Sequence, residues 1–208
     1  MQLNPELSAV SKIDLFIDHD WTDLISAYNA VREKWISGTL RDKKWVDEYQ
    51  TYQFDFGAFG SLISLDSISD QQNSASMLNG KIVESFLPWI KQMKHDFMEI
   101  DLIAVTFFET KGPIKRHADG VVKNENFKGH CRLNYIITDC EAITYVDNNG
   151  KIESYPSHSG TAWLLDTQKP HWVENSDTRH LFQLSFNRPY HEVLAWFRSN
   201  PKFYYGNQ

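Results

Sequence analysis

Near Ile100 the spacing of apolar residues changes from a period of about 3.6 to a period of about 2. From there the chain runs through DLIAVTFFET, CRLNYIIT, AITYVD, KIESYP, TAWLLDT, HWVEN and RHLFQLSF. Turn residues separate them at Lys111-Gly112-Pro113, Asp147-Asn148-Asn149-Gly150, Ser157 to Gly160 and Asn175-Ser176-Asp177. Many short strands at near-regular spacing predict an antiparallel sandwich, jelly roll or barrel. Helical patterns flank this stretch. Leu24, Ile25, Tyr28, Val31 and Trp35 recur at helical spacing between Asp20 and about Ile36, with Gly38 as a stop. A second helix is predicted over Gly80 to Met98, with Ile82, Phe86, Trp89, Ile90, Met93 and Phe97 on one stripe and Pro88 as a candidate kink. Tyr49 to Phe59 alternates as a strand or hairpin arm would, Asp66 to Ser76 reads as a loop, and a short helix closes the chain from about His191 to Ser199.

The expected class is mainly β with flanking α. A single domain is expected, with an N-terminal helical and hairpin region over 1–99, a β-core over 100–188 and a C-terminal helix and tail over 189–208. Alternation within two strands adds a second expectation. Arg179, Gln183 and Ser185 share one face, opposite His180, Phe182, Leu184 and Phe186. His130, Arg132 and Asn134 likewise oppose Cys131, Leu133, Tyr135 and Ile137. Helices covering the apolar faces would leave the polar faces pointing into a shared cavity.

Composition narrows the partners. A net charge of −6 argues against a broad basic footprint for nucleic acid or an anionic membrane. No stretch approaches the roughly 20 apolar residues of a membrane span. The start, MQLNPELSAVSKIDLF, lacks the regions of a signal peptide, and Cys131 and Cys140 cannot form a disulfide framework. A cytoplasmic protein without a nucleic-acid or membrane partner is therefore expected. Among the abundant aromatics, Trp163, Trp172, Tyr135 and Phe108 are candidates to line a cavity or simply to pack.

The residues that carry chemistry begin with His117-Ala118-Asp119, after a strand, followed at a distance by His171 at the start of another. Two imidazoles and one carboxylate supply three ligands and leave three positions of an octahedral iron open. In an extended segment, positions i and i+2 point to one side. By itself His-x-Asp is a weak signal, and its order relative to Arg179 strengthens it. Arg179 starts the strand after the turn that follows His171, and a planar guanidinium can bind the far carboxylate of a dicarboxylate whose near end chelates a metal. His130, His158 and His180 are spare imidazoles, and Asp166 either supports the site or ends its strand. No Gly-rich phosphate loop, Cys-x-x-Cys, Gly-x-Ser-x-Gly or His-Glu-x-x-His is present.

From about Ile103 to Phe186 the order of parts resembles the Fe(II)/2-oxoglutarate-dependent oxygenases. FFETKGPIKRHADG, CRLNYII and GTAWLLDTQKPHWVENSDTR look most like the aspartyl/asparaginyl β-hydroxylase and prolyl-hydroxylase-like branches. The resemblance implies a double-stranded β-helix, a cupin-like jelly roll with the N-terminal helices packed on one sheet. It implies catalytic metal ligands His117, Asp119 and His171 for Fe(II), with Arg179 holding 2-oxoglutarate and O2 as the second co-substrate. A further polar contact to 2-oxoglutarate falls to Arg132 or Asn134, and Thr106 stands near a position where the family presents a hydroxyl. The interval from His171 to Arg179 is shorter than usual in the family, but strand parity is kept. The implied activity is hydroxylation of an amino acid, free or within a peptide. Two rival readings are a non-redox jelly-roll metalloenzyme using the same ligands with Mn or Zn, and a non-catalytic binding module for a sugar or peptide.

Overall fold

Strand formation after Ile100 follows the period-2 pattern closely. The computed structural model describes residues 7–26, 51–58, 89–110, 113–119, 129–174, 178–200 and 202–206. Within them lie β1 (Val10–Ile13), β2 (Leu15–Asp18), β3 (Thr51–Ala58), α1 (Ile90–Asp96), a 3-10 turn (Met98–Ile100), β4 (Leu102–Thr110) and β5 (Ile114–His117). They are followed by β6 (Cys131–Ile136), β7 (Cys140–Asn148), β8 (Lys151–Ser157), β9 (Ala162–Leu165), β10 (His171–Glu174), β11 (Arg179–Phe186), α2 (Tyr190–Ser199) and β12 (Phe203–Gly206). Each of the seven sequence segments singled out after Ile100 contributes a strand, and β3 falls within the alternating stretch expected over Tyr49 to Phe59.

Two antiparallel sheets hold the core, in the orders β1-β9-β6-β11-β4-β3 and β5-β10-β7-β8. From β4 to β11 the chain crosses between the sheets at every step except the β7–β8 hairpin and returns to fill gaps left between earlier strands. That alternation is the jelly-roll order. The fold is therefore β-rich and cupin-like, with β1 and β3 extending one sheet.

Packing follows the two faces read from the sequence. Trp89, Ile90, Met93 and Phe97 from the α1 region and Val193, Leu194 and Phe197 from α2 form one cluster with Leu133, Tyr135, Phe182, Leu184 and Phe186 of the six-stranded sheet. Helices thus cover the apolar face of β6 and β11, and the opposite faces point between the sheets. There Ile136, Val146, Tyr155, Leu165 and Leu181 form a second cluster, with Trp163 against it. The connection into β4 turns at Asp101, whose φ of 51° is left-handed and tolerable because its short polar side chain competes for local bonds. Arg188 lies 3.3 Å from the Asp101 carboxylate, joining that turn to the entrance of α2. Gly129, just before β6, passes so close to the same entrance that a Cβ would meet the Pro189 backbone nitrogen at 2.5 Å.

Three expectations change. The N-terminal region opens with strands: β1 pairs with β9, and β2 pairs in parallel with β12, so the expected C-terminal tail is also a strand. Their partners lie far away along the chain. Helical structure after Asp20 is described over 22–26, while the remainder of that prediction, the Asp66–Ser76 loop and the early part of the second helix lie outside the described residues. His117 is the last residue of β5 instead of following the strand. Among the described residues, no helix is long and apolar enough to cross a membrane.

Phe97 is wholly buried and meets Phe186, Trp196, Phe197, Phe203 and Tyr205 ring to ring. Phe97→Ala is expected to lower the unfolding free energy by about 3–5 kcal/mol. Phe16→Ala, at a ring 51% exposed, is expected to cost no more than about 1 kcal/mol. Urea denaturation of both variants checks the pair, and equal losses would contradict this placement of the core.

Candidate metal centre

Strand pairing brings the two histidines together. His171, the first residue of β10, is the cross-strand partner of His117 on β5 and of Val146 on β7. Directly opposed residues share a face, and the ring centroids are 4.3 Å apart. Each ring is oriented from behind by the backbone. His117 Nδ1 is 2.8 Å from the Lys115 carbonyl oxygen, and His171 Nδ1 is 3.0 Å from that of Lys169. A carbonyl oxygen only accepts, so in both rings Nδ1 carries the proton and Nε2 carries the lone pair. Burial pushes His171 down to about 4. The bond to Lys169 and the Asp119 charge act the other way, and His117 and Arg132 add to the depression. The ring is neutral at pH 7, the state a metal requires.

Asp119 completes the group. Its backbone N–H donates to the Thr167 carbonyl at 2.9 Å, which fixes the loop leaving β5 beside the turn leaving β9. Its Oδ2 lies 3.1 Å from Arg132 Nε and 3.3 Å from His130 Nδ1. Burial alone would raise the carboxyl pKa, but the His130 bond and the charges of Arg132 and His171 outweigh it and hold the group well below the usual carboxylate range. His117, Asp119 and His171 offer ligand atoms that all lie within 4.8 Å of one another. Two fixed imidazoles and an ionised carboxylate in this spacing fit a divalent transition metal with positions to spare.

A second polar group lies on the same interior faces. Arg179 is 3% exposed and donates from Nη1 to Thr144 Oγ1 at 2.8 Å, bridging the six-stranded sheet to the four-stranded one. Burial pulls its pKa down against the opposing influence of Tyr155 and Cys140, yet a guanidinium stays charged. Among the described residues no carboxylate pairs with it, and its buried Nε makes no hydrogen bond. Thr144 faces Val173, two residues along from the His171–Val146 pair, so its Cα stands about 7–8 Å from that of His171. Thr144 therefore links the metal-binding edge of the four-stranded sheet to the buried arginine.

Arg132 and Asn134 both reach this interior, in different company. Arg132 Nη1 donates to Gln183 Oε1 at 3.0 Å, Gln183 Nε2 donates to Asn134 Oδ1 at 2.8 Å, and Asn134 Nδ2 donates to the Tyr155 hydroxyl at 2.8 Å. The chain of bonds starts at Arg132, whose guanidinium lies beside Asp119, and crosses from one sheet to the other. Thr106 occupies the β4 register position opposite Gln183. Two of the aromatic cavity candidates belong elsewhere. Tyr135 packs under the helices, where its hydroxyl donates to the Ile17 carbonyl at 3.2 Å. Trp172 alternates away from His171 and stacks on Tyr145 at 5.3 Å, with the Arg116 guanidinium 5.3 Å from its ring. Trp163 does face inward and stacks on Tyr155 at 5.1 Å. The side chain of Phe108 lies outside the described residues. Asp166 accepts from the Gln168 backbone N–H at 3.1 Å and caps its own turn.

Thr144, Tyr155 and Thr167 are the site residues that sequence reasoning missed. Thr144 and Tyr155 do alternate inward on β7 and β8, but nothing local tells an inward hydroxyl at a site from one that only fills a core. Thr167 acts through its backbone and through a hydroxyl that meets His130 Nδ1 at 3.0 Å.

No family model matches this chain, and no curated protein sequence matches it. Solved structures align with this chain at low similarity. A prolyl-4-hydroxylase from Pseudomonas putida aligns over 86% of this chain and 92% of its own, with TM-score 0.42 and 13% identity. AviO1 from Streptomyces viridochromogenes aligns over 87% of this chain and 90% of its own, with TM-score 0.40 and 14% identity. For a formate complex of the oxalate decarboxylase from Lactobacillus farciminis, the alignment covers 46% of this chain and only 27% of that one, with TM-score 0.32 and 12% identity. The jelly-roll assignment rests on this chain's own strand order.

Proposed function

We propose that this chain is an Fe(II)- and 2-oxoglutarate-dependent oxygenase that hydroxylates an amino acid, free or within a peptide. The observation that carries the reading is Arg179, a buried cation without a carboxylate partner among the described residues, on the same interior as the His117, Asp119 and His171 group. An unpaired buried charge is costly to keep. A bound carboxylate removes that cost, and a second acidic end on the same molecule would then lie toward the metal-binding group.

Each residue has a physical task under this reading. His117 and His171 would present Nε2 to iron because their Nδ1 protons are held by backbone carbonyls. Asp119 would give the negative charge. Arg179, oriented by Thr144, would bind the far carboxylate of 2-oxoglutarate. Bound there, iron supplies with O2 the oxidising power that inserts one oxygen atom into a C–H bond while 2-oxoglutarate leaves as succinate and CO2. Leu181, Val146 and Ile136 line an apolar cluster between the sheets, which excludes water and strengthens the electrostatic contacts inside. Arg132 and Asn134 support the interior through Gln183, and Thr106 stands opposite it on β4.

A non-redox metalloenzyme built on the same three ligands gives Arg179 no task, and a sugar- or peptide-binding module gives the ligands none. Anaerobic addition of Fe(II) and 2-oxoglutarate is expected to produce a visible charge-transfer band in the wild type that His171→Ala abolishes. No band in the wild type, or an undiminished one in His171→Ala, would overturn the proposal. Arg179→Ala is expected to retain metal binding and to weaken 2-oxoglutarate by at least about 30-fold, the loss of a buried charge-assisted contact. Titration of the same band with 2-oxoglutarate measures it, and unchanged affinity would remove Arg179 from the site.

A further inference from the structure

Among the described residues, Phe16 on β2 and Tyr204 on β12 are the large aromatics that stay exposed, at 51% and 62%. They are cross-strand partners, and their rings stack with centroids 5.6 Å apart and planes 28° from parallel. Contacts at the edges hold this pair without covering it. The Tyr204 hydroxyl donates to Asp18 Oδ2 at 2.7 Å. Next to Tyr204, the Phe203 backbone N–H donates to the Asp14 carbonyl at 3.2 Å, and the Phe203 ring stacks on Trp196 at 5.3 Å. Beside the exposed pair lies a cavity of about 500 Å³, within the size range of small-molecule sites. Ile13, Leu15 and Ala162 line it from the cluster beneath the helices. The cavity therefore opens on the face of the six-stranded sheet turned away from His117, Asp119 and His171. Lys12 and Lys202 also line it, both exposed and neither with an ion-pair partner among the described residues. Asp14 is the acidic residue among the described lining, so the cavity is locally positive in a chain of net charge −6.

We propose that this cavity binds a small aromatic anion, with its ring against Phe16 and Tyr204 and its acidic group toward Lys12 and Lys202. A flat ring stacked on the exposed pair takes apolar area out of water on both sides of the contact. The two lysines have no charge to answer within the protein, and an ammonium on a flexible stem can follow an anion of either carboxylate or phosphate shape. Asp14 can accept a hydrogen bond from a hydroxyl or amide of the same molecule. A nucleoside phosphate and an aromatic carboxylate share this chemistry. Pairing of β2 with β12 joins the two ends of the chain and assembles the cavity before any ligand arrives, so little ordering remains to be done on binding. The site stands apart from the metal centre and does not depend on the function proposed for it.

Equilibrium dialysis of the full chain against AMP and against 1-naphthoate tests this. Retention of AMP alone identifies a nucleoside-phosphate site, retention of 1-naphthoate alone an aromatic-carboxylate site, and retention of both the shared chemistry. Phe16→Ala is expected to weaken the retained anion by about 5–150-fold, the loss of one stacking face, with a melting midpoint close to that of the wild type. Lys202→Gln is expected to weaken it by about 2–5-fold and to flatten its dependence on salt. Arg179→Ala is expected to leave it unchanged. Retention of neither anion, or retention that Phe16→Ala does not weaken, would overturn the inference. Binding that falls in Arg179→Ala but not in Phe16→Ala would place the anion between the sheets and overturn it equally. Should Phe16→Ala fail to fold, Lys12→Gln and Lys202→Gln decide the matter by the same dialysis, and full retention in both would defeat the site.

Discussion

The antiparallel pairing of β10 between β5 and β7 is the constraint on which the rest depends. It sets His171 opposite His117 on one side and opposite Val146 on the other. The first contact gathers the candidate metal ligands, and the second places Thr144 on the same face, where it meets Arg179 from the other sheet. A slip of one residue in that register would turn His171 outward and Trp172 inward. The neighbouring side chains oppose such a slip. Val173 is buried with Ile114 and Ala142, while Trp172 already has a stacked partner in Tyr145 on the outer face.

Polar groups between two sheets must find partners within the protein or from outside it. Several here find them inside, since Arg132 Nη1, Gln183, Asn134 and Tyr155 bond to one another in a line that runs from β6 and β11 to β8. Arg179 departs from that pattern. Its described contact is one neutral hydroxyl, although the cation is almost wholly removed from solvent. Folding alone would favour an apolar side chain at such a position. Under the proposed function a bound carboxylate would account for the charge at the start of β11.

Legibility in the sequence tracked the range of the interaction. Strands β4 and β6 to β11 were readable because alternation is a local property, and so was the division of β6 and β11 into an apolar and a polar face. His117 and Asp119 were readable as neighbours, and His171 and Arg179 by their order along the chain. What pairing alone decides was not readable. Strands β1, β2 and β12 are four residues each and owe their conformation to distant partners. The β2–β12 pair joins opposite ends of the chain. Tyr135 looked like a cavity aromatic, yet alternation had already assigned it to the face with Leu133, and its hydroxyl is satisfied by Ile17 beneath the helices.

The aromatic content acquires two distinct uses from this arrangement. Phe97, Phe182, Phe186, Phe197 and Trp89 form the layer between the helices and the six-stranded sheet, which makes that sheet a rigid support for Arg132 and Arg179. Between the sheets, Tyr155 and Trp163 stack beside Val146, Leu165 and Leu181 and keep that side apolar. Low polarity next to Arg179 and Asp119 magnifies every electrostatic contact they make. The same wall that makes an unpaired guanidinium costly would therefore strengthen its pairing with the carboxylate that the proposed function assigns to it. The jelly roll supplies both halves of that effect, since one face of each strand builds the apolar wall and the polar residues interleaved with it provide the charge.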